Sequence, residues 1–327
     1  MNNRTGFDIQ LNNTDIGNNI TNSLNYGGRQ LVWVFLSINI LVSLFIIVSN
    51  GLVLWTVYKI EALRTVTSMF IVNLSVVDLL VGVFILFIIV TDTIMPLAYD
   101  TYTPKKFLCI GRAFFLGFLF MASLFGLIGV AVDRYVAIVH PLRYVSIMNV
   151  TKAKIMLVCK WAYILSITAV MFIDGVNVYQ PGQGCAMGDT LNSSYFIFIK
   201  LNLLIPVFII FVLNGKILYV AFKQRTKIIN ELASIDNASA VAYKNEHSIM
   251  KATTIVNVIF IIMYGQYMVI DPLKLDTEWF TTIWQISAII MRLNSGVNPW
   301  IFVMFHKKYK KAFLVALKLK TIGASMD

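Results

Sequence analysis

The sequence predicts an all-α membrane protein, a seven-transmembrane helix bundle with a C-terminal amphipathic interfacial helix. Hydrophobic residues make up 58% of the chain and charged residues only 13%, which is unlike a soluble domain. Crossing roughly 30 Å of hydrocarbon takes about 20 apolar residues, and seven runs reach that length: 31–58, 66–91, 107–139, 153–174, 194–222, 248–270 and 279–303. A closed barrel would instead need short alternating segments, so these continuous runs indicate helices.

The chain divides into three parts on this basis. Residues 1–30 are rich in Asn, Thr and Gly, a composition that predicts a disordered tail. Residues 31–303 form the bundle. In residues 304–327, Phe305, Tyr309 and Phe313 share one face and lysines occupy the rest. This pattern predicts a helix lying along anionic lipid, followed by a short cytoplasmic tail.

Basic residues set the predicted orientation. They cluster after span one, between spans three and four, before span six and after span seven, while the opposite loops carry mainly Asp and Glu. The positive-inside rule therefore places the N-terminus outside the cell in a multi-pass plasma-membrane protein. The net charge of +11 is explained by sorting and lipid contact, so no nucleic-acid partner is expected.

Two kinds of modification follow from that orientation. Asn-x-Ser/Thr sequons on the outer side predict glycosylation, at Asn3, Asn12, Asn19 and Asn192. Cys109 and Cys185 both lie on the outer side, whereas Cys159 lies near the inner end of span four. A disulfide between Cys109 and Cys185 is therefore expected in an oxidising compartment, and three free thiols are the alternative.

A group of polar residues is expected at mid-membrane depth. Asp78 is a carboxylate within span two, and hydroxyls and amides on neighbouring spans can surround it: Asn50, Ser123, Asn294, Ser295 and Asn298. Polar groups inside the membrane are costly and usually functional. We expect a Na⁺ site at Asp78, with a simple interhelical hydrogen-bonding role as the alternative.

The tripeptide Asp133-Arg134-Tyr135 closes the long uncharged run of span three. A charged pair in this position can stay hydrated at the membrane face while the preceding turns remain in lipid. An ordinary helix-end ion pair is the simpler reading of the same residues.

Taken together, these motifs resemble the rhodopsin-like (class A) G protein-coupled receptors. The resemblance runs from about residue 31 to 318 and rests on the order and spacing of residues in separate spans: Asn50-Gly51, Leu74 with Asp78, Cys109, Asp133-Arg134-Tyr135, Trp161, Cys185, Pro206, and Asn298-Pro299. It implies that Arg134 pairs with Asp133 and with Glu246 to hold the resting bundle shut. Breaking that contact would admit a heterotrimeric G protein.

The chain departs from the family pattern in the activation motifs. Counting from Phe260, Tyr264 stands where the family usually has tryptophan and Gln266 where it has proline. Phe302 replaces the tyrosine that usually ends the Asn-Pro motif of Pro299. Asn214 replaces the tyrosine that the family usually has eight residues after Pro206. An atypical constitutive or decoy receptor with weak coupling is therefore the alternative to a ligand-gated one.

The ligand is expected to be a small molecule or peptide other than an amine. Leu116 stands where aminergic members carry an aspartate, and Arg292 stands where opsins carry the lysine that binds retinal. No cofactor is therefore expected, apart from Na⁺ as an allosteric ion. We predict a pocket for an anionic or carbonyl-bearing ligand, formed by Arg112, Leu116, Lys200, Tyr264, Gln266 and Arg292. The alternative is that Arg292 pairs internally while Arg112 and Lys200 extend to the membrane interface.

Other membrane classes fit less well. An intramembrane protease would need paired carboxylates or a zinc motif, and a transporter would show internal repeats with broken helices. An ion channel would need a filter loop or rings of charge. The sequence therefore predicts a receptor that is not an enzyme.

Overall fold

A computed structural model describes residues 26–98, 105–180, 185–232, 258–259, 262–267, 269–270, 278–305 and 307–316. The chain is an all-α seven-transmembrane bundle, as predicted. Five of the described helices are long and apolar enough to cross a membrane: Leu31–Lys59, Val66–Ile94, Lys106–Val139, Val150–Phe172 and Ser193–Ile217.

The helices are named α1 to α8 in chain order, leaving the short turns unlabelled. Their bounds are α1 Tyr26–Lys59, α2 Val66–Ile89, α3 Lys106–Val139, α4 Val150–Ala169, α5 Ser193–Leu232, α7 Glu278–Phe305 and α8 Lys307–Ala316. The name α6 is used for the helical residues 258–259, 262–267 and 269–270.

Most predicted spans agree with these bounds to within a few residues. The helix of span one begins earlier, at Tyr26, so residues 26–30 extend α1 rather than the predicted tail. Span four ends in a 3₁₀ turn at Phe172, two residues before the predicted end, which places Asp174 in the outer loop. Helix α5 continues ten residues past the predicted end, to Leu232, because a run of polar residues does not by itself stop a helix that has already formed.

One irregular segment continues α2 toward the outer side. Residues Val90–Ile94 form a single π-helical turn, and Met95–Ala98 resume the α-helix. Such turns insert an extra residue and reorient the side chains that follow. Asp92 lies within this turn and contacts Arg112 of α3.

Helix α3 lies at the centre and packs against α2, α4 and α5. Phe70 and Leu74 of α2 are almost fully buried and face two glycines of α3. A Cβ built on Gly129 would lie 2.8 Å from the Phe70 ring, so only glycine permits this approach. Large apolar side chains on the outside of the bundle are exposed instead, for example Val158 and Phe208 at 67% each. That arrangement suits lipid as the surrounding solvent.

Candidate functional site

The cytoplasmic end of α3 holds a buried carboxylate bound by three donors. Asp133 has no exposed surface. Its Oδ2 accepts hydrogen bonds from Arg134 Nε at 3.0 Å and Thr67 Oγ1 at 2.8 Å, and its Oδ1 accepts one from Tyr144 OH at 2.7 Å. Burial is the main cause that raises the pKa of Tyr144, and the hydrogen bond to Asp133 adds to it. The phenol therefore stays a donor across the physiological pH range.

Arg134 is held against α2 as well as against its neighbour. Its guanidinium also donates to Thr67 Oγ1, and its side chain is only 13% exposed. Tyr135 is half-buried, with its ring 6.3 Å from that of His140. Glu246, the other predicted partner of Arg134, lies outside the described residues. Thr67 and Tyr144 were not predicted from the sequence, since neither belongs to the charged motif.

Asp78 forms a second polar centre, at the middle of the bundle. The carboxylate is completely buried. Ser123 Oγ of α3 donates to its Oδ1 at 2.8 Å, and Asn298 Nδ2 of α7 donates to its Oδ2 at 3.1 Å. The Ser295 hydroxyl also interacts with this carboxylate. Asp78 therefore connects α2, α3 and α7.

Two of the predicted core residues are arranged differently. Asn50 donates to the backbone oxygens of Ile46 at 2.9 Å and Ser295 at 3.0 Å, so it links α1 to α7 rather than to Asp78. Asn294 is buried, and neither of its side-chain polar atoms has a partner among the described residues. Asn50 Oδ1 is likewise unpartnered there. Sequence spacing placed these amides at the correct depth without showing which way they point.

The oxygen atoms around Asp78 match those that a hard monovalent cation uses. Carboxylate and hydroxyl oxygens are hard ligands, and Asp78, Ser123 and Ser295 supply them in one buried group. The charge balance is less suitable, because a buried cation of the protein already lies nearby. The Na⁺ role of Asp78 therefore stays a prediction.

That buried cation is Lys160 of α4, which the sequence analysis did not single out. Lys160 is only 9% exposed. Nζ donates to Asn73 Oδ1 of α2 at 3.0 Å and to the backbone oxygen of Ala122 at 3.3 Å. The signal that could have identified it is a lysine directly before Trp161 within an otherwise apolar run.

Gln266 of α6 connects α6 to α7. Its Nε2 donates to the backbone oxygens of Ser287 at 2.9 Å and Met263 at 2.8 Å, and the Ser287 hydroxyl donates to its Oε1. Tyr264 is 2% exposed and meets the Phe120 ring of α3 edge-on at 6.3 Å. These two residues therefore join three helices in the region predicted to line a ligand pocket.

The outer half of the bundle holds the predicted ligand-binding cations. Arg112 of α3 forms an ion pair with Asp92 in the π-helical turn. Arg292 of α7 donates to Asn39 Oδ1 of α1 and interacts electrostatically with both Arg112 and Asp92. The structure thus brings the two arginines into one charged group and gives each a partner.

The remaining members of the predicted pocket have separate surroundings. Lys200 of α5 places its ammonium 4.4 Å from the centre of the Phe196 ring, a cation–π arrangement. Leu116 lies one helical turn below Arg112 on α3 and is half-buried.

The outer loops are fixed to the start of α3. Cys109 and Cys185 form a disulfide, as predicted, and Cys159 is a free thiol. Lys106 Nζ donates to Asp174 Oδ1 at 2.9 Å, and this hydrogen bond is the main cause that lowers the pKa of Asp174. The loop before α5 is therefore tied to α3 by one covalent and one ionic contact.

Asn192 has a structural role beside its predicted glycosylation. Its Oδ1 accepts a hydrogen bond from the Tyr195 backbone at 2.8 Å, and its Nδ2 donates to the Gly175 backbone oxygen at 2.6 Å. The other sequons, Asn3, Asn12 and Asn19, lie outside the described residues. Glycosylation at all four sites stays a prediction.

The activation motif is described in part. Pro299 is buried within α7, and the neighbouring Trp300 donates to Ser49 Oγ of α1 at 3.0 Å. The side chains of Phe260 and Phe302 lie outside the described residues. Seven residues after Phe302, Tyr309 of α8 is buried against α2, a contact that the sequence analysis did not anticipate.

Comparison with known proteins identifies the family. The family model described as "7 transmembrane receptor (rhodopsin family)" matches residues 49–302, which is well over half of the chain. The chain therefore belongs to the rhodopsin family of seven-transmembrane receptors. This confirms the class A resemblance and establishes a G protein-coupled receptor, a multi-pass membrane protein of a family that is not enzymatic.

Curated relatives share about a quarter of their residues with this chain. The dog (Canis lupus familiaris) adenosine receptor A2a is 24% identical over 303 residues, which cover 86% of this chain and 71% of that receptor. The Pan troglodytes trace amine-associated receptor 6 is 25% identical over 324 residues, covering 92% and 90%. The Branchiostoma floridae QRFP-like peptide receptor is 25% identical over 314 residues, covering 91% and 80%. Similarity to receptors with such different names leaves the ligand class undetermined.

Proposed function

We propose that this receptor lies in the plasma membrane with its N-terminus outside and responds to an extracellular ligand bearing an anionic or carbonyl group. The observation that carries this proposal is the charged group formed by Arg112, Asp92 and Arg292. Two guanidinium groups share one carboxylate, so among the described residues of the outer half one positive charge of this group remains uncompensated. Such a charge is costly in low dielectric and favours an anionic partner.

The geometry suggests how that ligand would be held. Arg292 donates to the neutral side-chain carbonyl of Asn39. A ligand carboxylate in the place of that carbonyl would give the guanidinium a fully charged acceptor. Arg112 already has its carboxylate partner and would orient Asp92 away from the ligand. An amine is disfavoured because Leu116 offers no carboxylate to it, even though one relative is named a trace amine-associated receptor.

Ligand binding would be transmitted through contacts between the helices. Arg292 and Asn298 lie on the same helix, and Asn298 donates to Asp78. Gln266 joins α6 to α7 nearer the start of α7, at Ser287. A shift of α7 would therefore act on α2, α3 and α6 together, and opening of the cytoplasmic end would expose Arg134 to a heterotrimeric G protein.

A ligand screen in cells tests this proposal. Cells expressing the receptor are exposed to small aliphatic and aromatic carboxylates and to amines with the same carbon skeletons, with G-protein dissociation as the readout. Carboxylates are expected to activate the receptor, and Arg292→Met is expected to reduce their potency by about tenfold or more. Lys105→Met, which removes one exposed outer cation, should leave the potency unchanged. Activation by amines alone, or an equal response of Arg292→Met, would contradict an anionic ligand.

A decoy receptor is the second candidate. It is favoured by Asn214 and Phe302, which replace two tyrosines of the family pattern. Asn214 Nδ2 donates to the Ile210 backbone oxygen of its own helix at 2.6 Å. A receptor that reaches the cell surface and binds carboxylates, yet activates no G-protein subtype, would support this second candidate.

A further inference from the structure

Lys160 carries a positive charge that its hydrogen-bond partners do not balance. Its residue is 9% exposed in the middle of α4. The atoms that accept from Nζ are neutral, an amide oxygen of Asn73 and the backbone oxygen of Ala122, and the ring of Trp161 lies 4.4 Å away. An ammonium buried at this depth is stable only with a negative partner in reach.

In the part of the chain that the structure describes, Asp78 is the carboxylate in reach. The Lys160 ammonium and the Asp78 carboxylate attract each other electrostatically. Asn73 precedes Asp78 on α2 by five residues. Ala122 directly precedes Ser123, which donates to Asp78 Oδ1. Lys160 therefore reaches the same contact between α2 and α3 from the side of α4.

We infer that Lys160 is a built-in counter-ion of Asp78, and that it takes over the role of a mobile monovalent cation in the polar core. The oxygens of Asp78, Ser123 and Ser295 could coordinate Na⁺. The attraction for Na⁺ would come from the Asp78 charge, however, and the Lys160 ammonium already compensates it. A second positive charge in this low-dielectric region would be repelled. The resting receptor is therefore insensitive to Na⁺, and neutralising Lys160 unmasks a Na⁺ site.

The test uses the purified full-length receptor and needs neither ligand nor G protein. Its thermal unfolding midpoint is measured in NaCl, KCl and choline chloride at equal ionic strength. The wild type is expected to unfold at the same temperature in all three salts. Lys160→Gln removes the charge and keeps a hydrogen-bonding group near Asn73. It is expected to unfold at a higher temperature in NaCl than in KCl or choline chloride, with a midpoint that rises with the NaCl concentration and saturates, a response that the wild type lacks.

Two further variants separate the counter-ion from a purely structural role. Lys160→Arg keeps the charge and should remain insensitive to Na⁺. Adding Asp78→Asn to Lys160→Gln should abolish the Na⁺ response. In KCl, Lys160→Gln should unfold at a lower temperature than the wild type, because the Asp78 charge is then buried without a partner. The double variant should recover much of that loss, since it has no unpaired buried charge.

A Na⁺-specific stabilisation of the wild type equal to that of Lys160→Gln would overturn the inference. So would Lys160→Gln that folds and shows no preference for NaCl over KCl. If Lys160→Gln does not fold, recovery of folding in the double variant supports the charge pair, and failure of both contradicts it. Since none of these readouts involves signalling, they are independent of the ligand proposed above.

Discussion

The phenol oxygen of Tyr309 on α8 lies 2.6 Å from the hydroxyl oxygen of Ser68 in the first turn of α2. Both side chains are buried, at 3% and 2% exposure. The contact joins the interfacial helix to the bundle directly beneath the polar cluster of Asp133, and Tyr309 interacts electrostatically with Arg134. The interfacial helix is therefore positioned to respond when that cluster opens.

Replacing Tyr309 by phenylalanine should lower the stability of the receptor. The substitution removes the hydrogen bond to Ser68, whose hydroxyl keeps its contact with Thr65 Oγ1 at 3.0 Å. Loss of one such hydrogen bond costs about 0.5–1.5 kcal/mol. Thermal unfolding of the purified receptor measures the loss. Tyr58→Phe, at an exposed position of α1, is the matched control and should have no effect. An unchanged midpoint in Tyr309→Phe would show that α8 is held by apolar packing alone.

The same phenol predicts how stability depends on alkaline pH. Burial raises the pKa of Tyr309 from 10.0 to about 12. A pKa raised by folding contributes stability that is complete below the unfolded value and is lost as the pH rises through the folded value. The wild type should therefore lose more stability between pH 10 and pH 12 than Tyr309→Phe does. If the stability of the two proteins falls equally between pH 10 and pH 12, the raised pKa of Tyr309 would be contradicted.

Loosening the donors around Asp133 should raise ligand-free signalling. Thr67→Ala and Tyr144→Phe each remove one hydrogen bond from this buried carboxylate, so the arrangement that holds Arg134 loses about 1.5–3 kcal/mol. Ligand-free G-protein activation at matched surface expression is the measurement. Ser146→Ala, an exposed position in the same loop, is the control. If ligand-free activation falls in both Thr67→Ala and Tyr144→Phe, these hydrogen bonds stabilise the active state instead.

The bond between Gln266 and Ser287 should restrain α6. Gln266→Leu removes both hydrogen bonds to Ser287, whereas Ser287→Ala removes only the one that the serine hydroxyl donates. Both variants should raise ligand-free activity and lower the unfolding temperature, Gln266→Leu more strongly. Because the two residues act on one contact, the double variant should show less than the sum of the single effects. Strictly additive effects would indicate that the two side chains act independently.

The disulfide should be needed for folding of the outer face. Cys109→Ser breaks the bridge to Cys185, and loss of a native disulfide typically costs about 2–5 kcal/mol. Surface expression should fall strongly, as measured by antibody staining of intact cells. Cys159→Ser, which removes the free thiol, should be expressed normally. Equal expression of the two variants would show that the bridge is dispensable.

The sequence predicted most of the fold because lipid imposes simple rules on it. Apolar runs of membrane length locate the spans, and the helix must satisfy its own backbone hydrogen bonds there. The disulfide and the residues that meet Asp78, such as Ser123 and Asn298, followed from depth along each span. Depth alone did not show that Asn50 faces the α7 backbone instead.

What the sequence did not predict depends on the rotation of each helix. Lys160 points into the bundle from α4 and Asn39 reaches Arg292 from α1. Asp92 approaches Arg112 from the π-helical turn. A single sequence gives the depth of these residues, whereas the direction of their side chains is set by packing against neighbouring helices.

Ligand-free G-protein activation across a panel of subtypes, compared with Arg134→Ala at matched surface expression, tests the central claim most directly. We predict measurable basal activity for at least one subtype in the wild type, and its loss in Arg134→Ala, because Arg134 is the cation that opening of the cytoplasmic end would expose to the G protein. Basal activity that is unchanged in Arg134→Ala would contradict this account of coupling. Silence of both proteins, continuing when carboxylate ligands are added, would contradict it as well and favour the decoy.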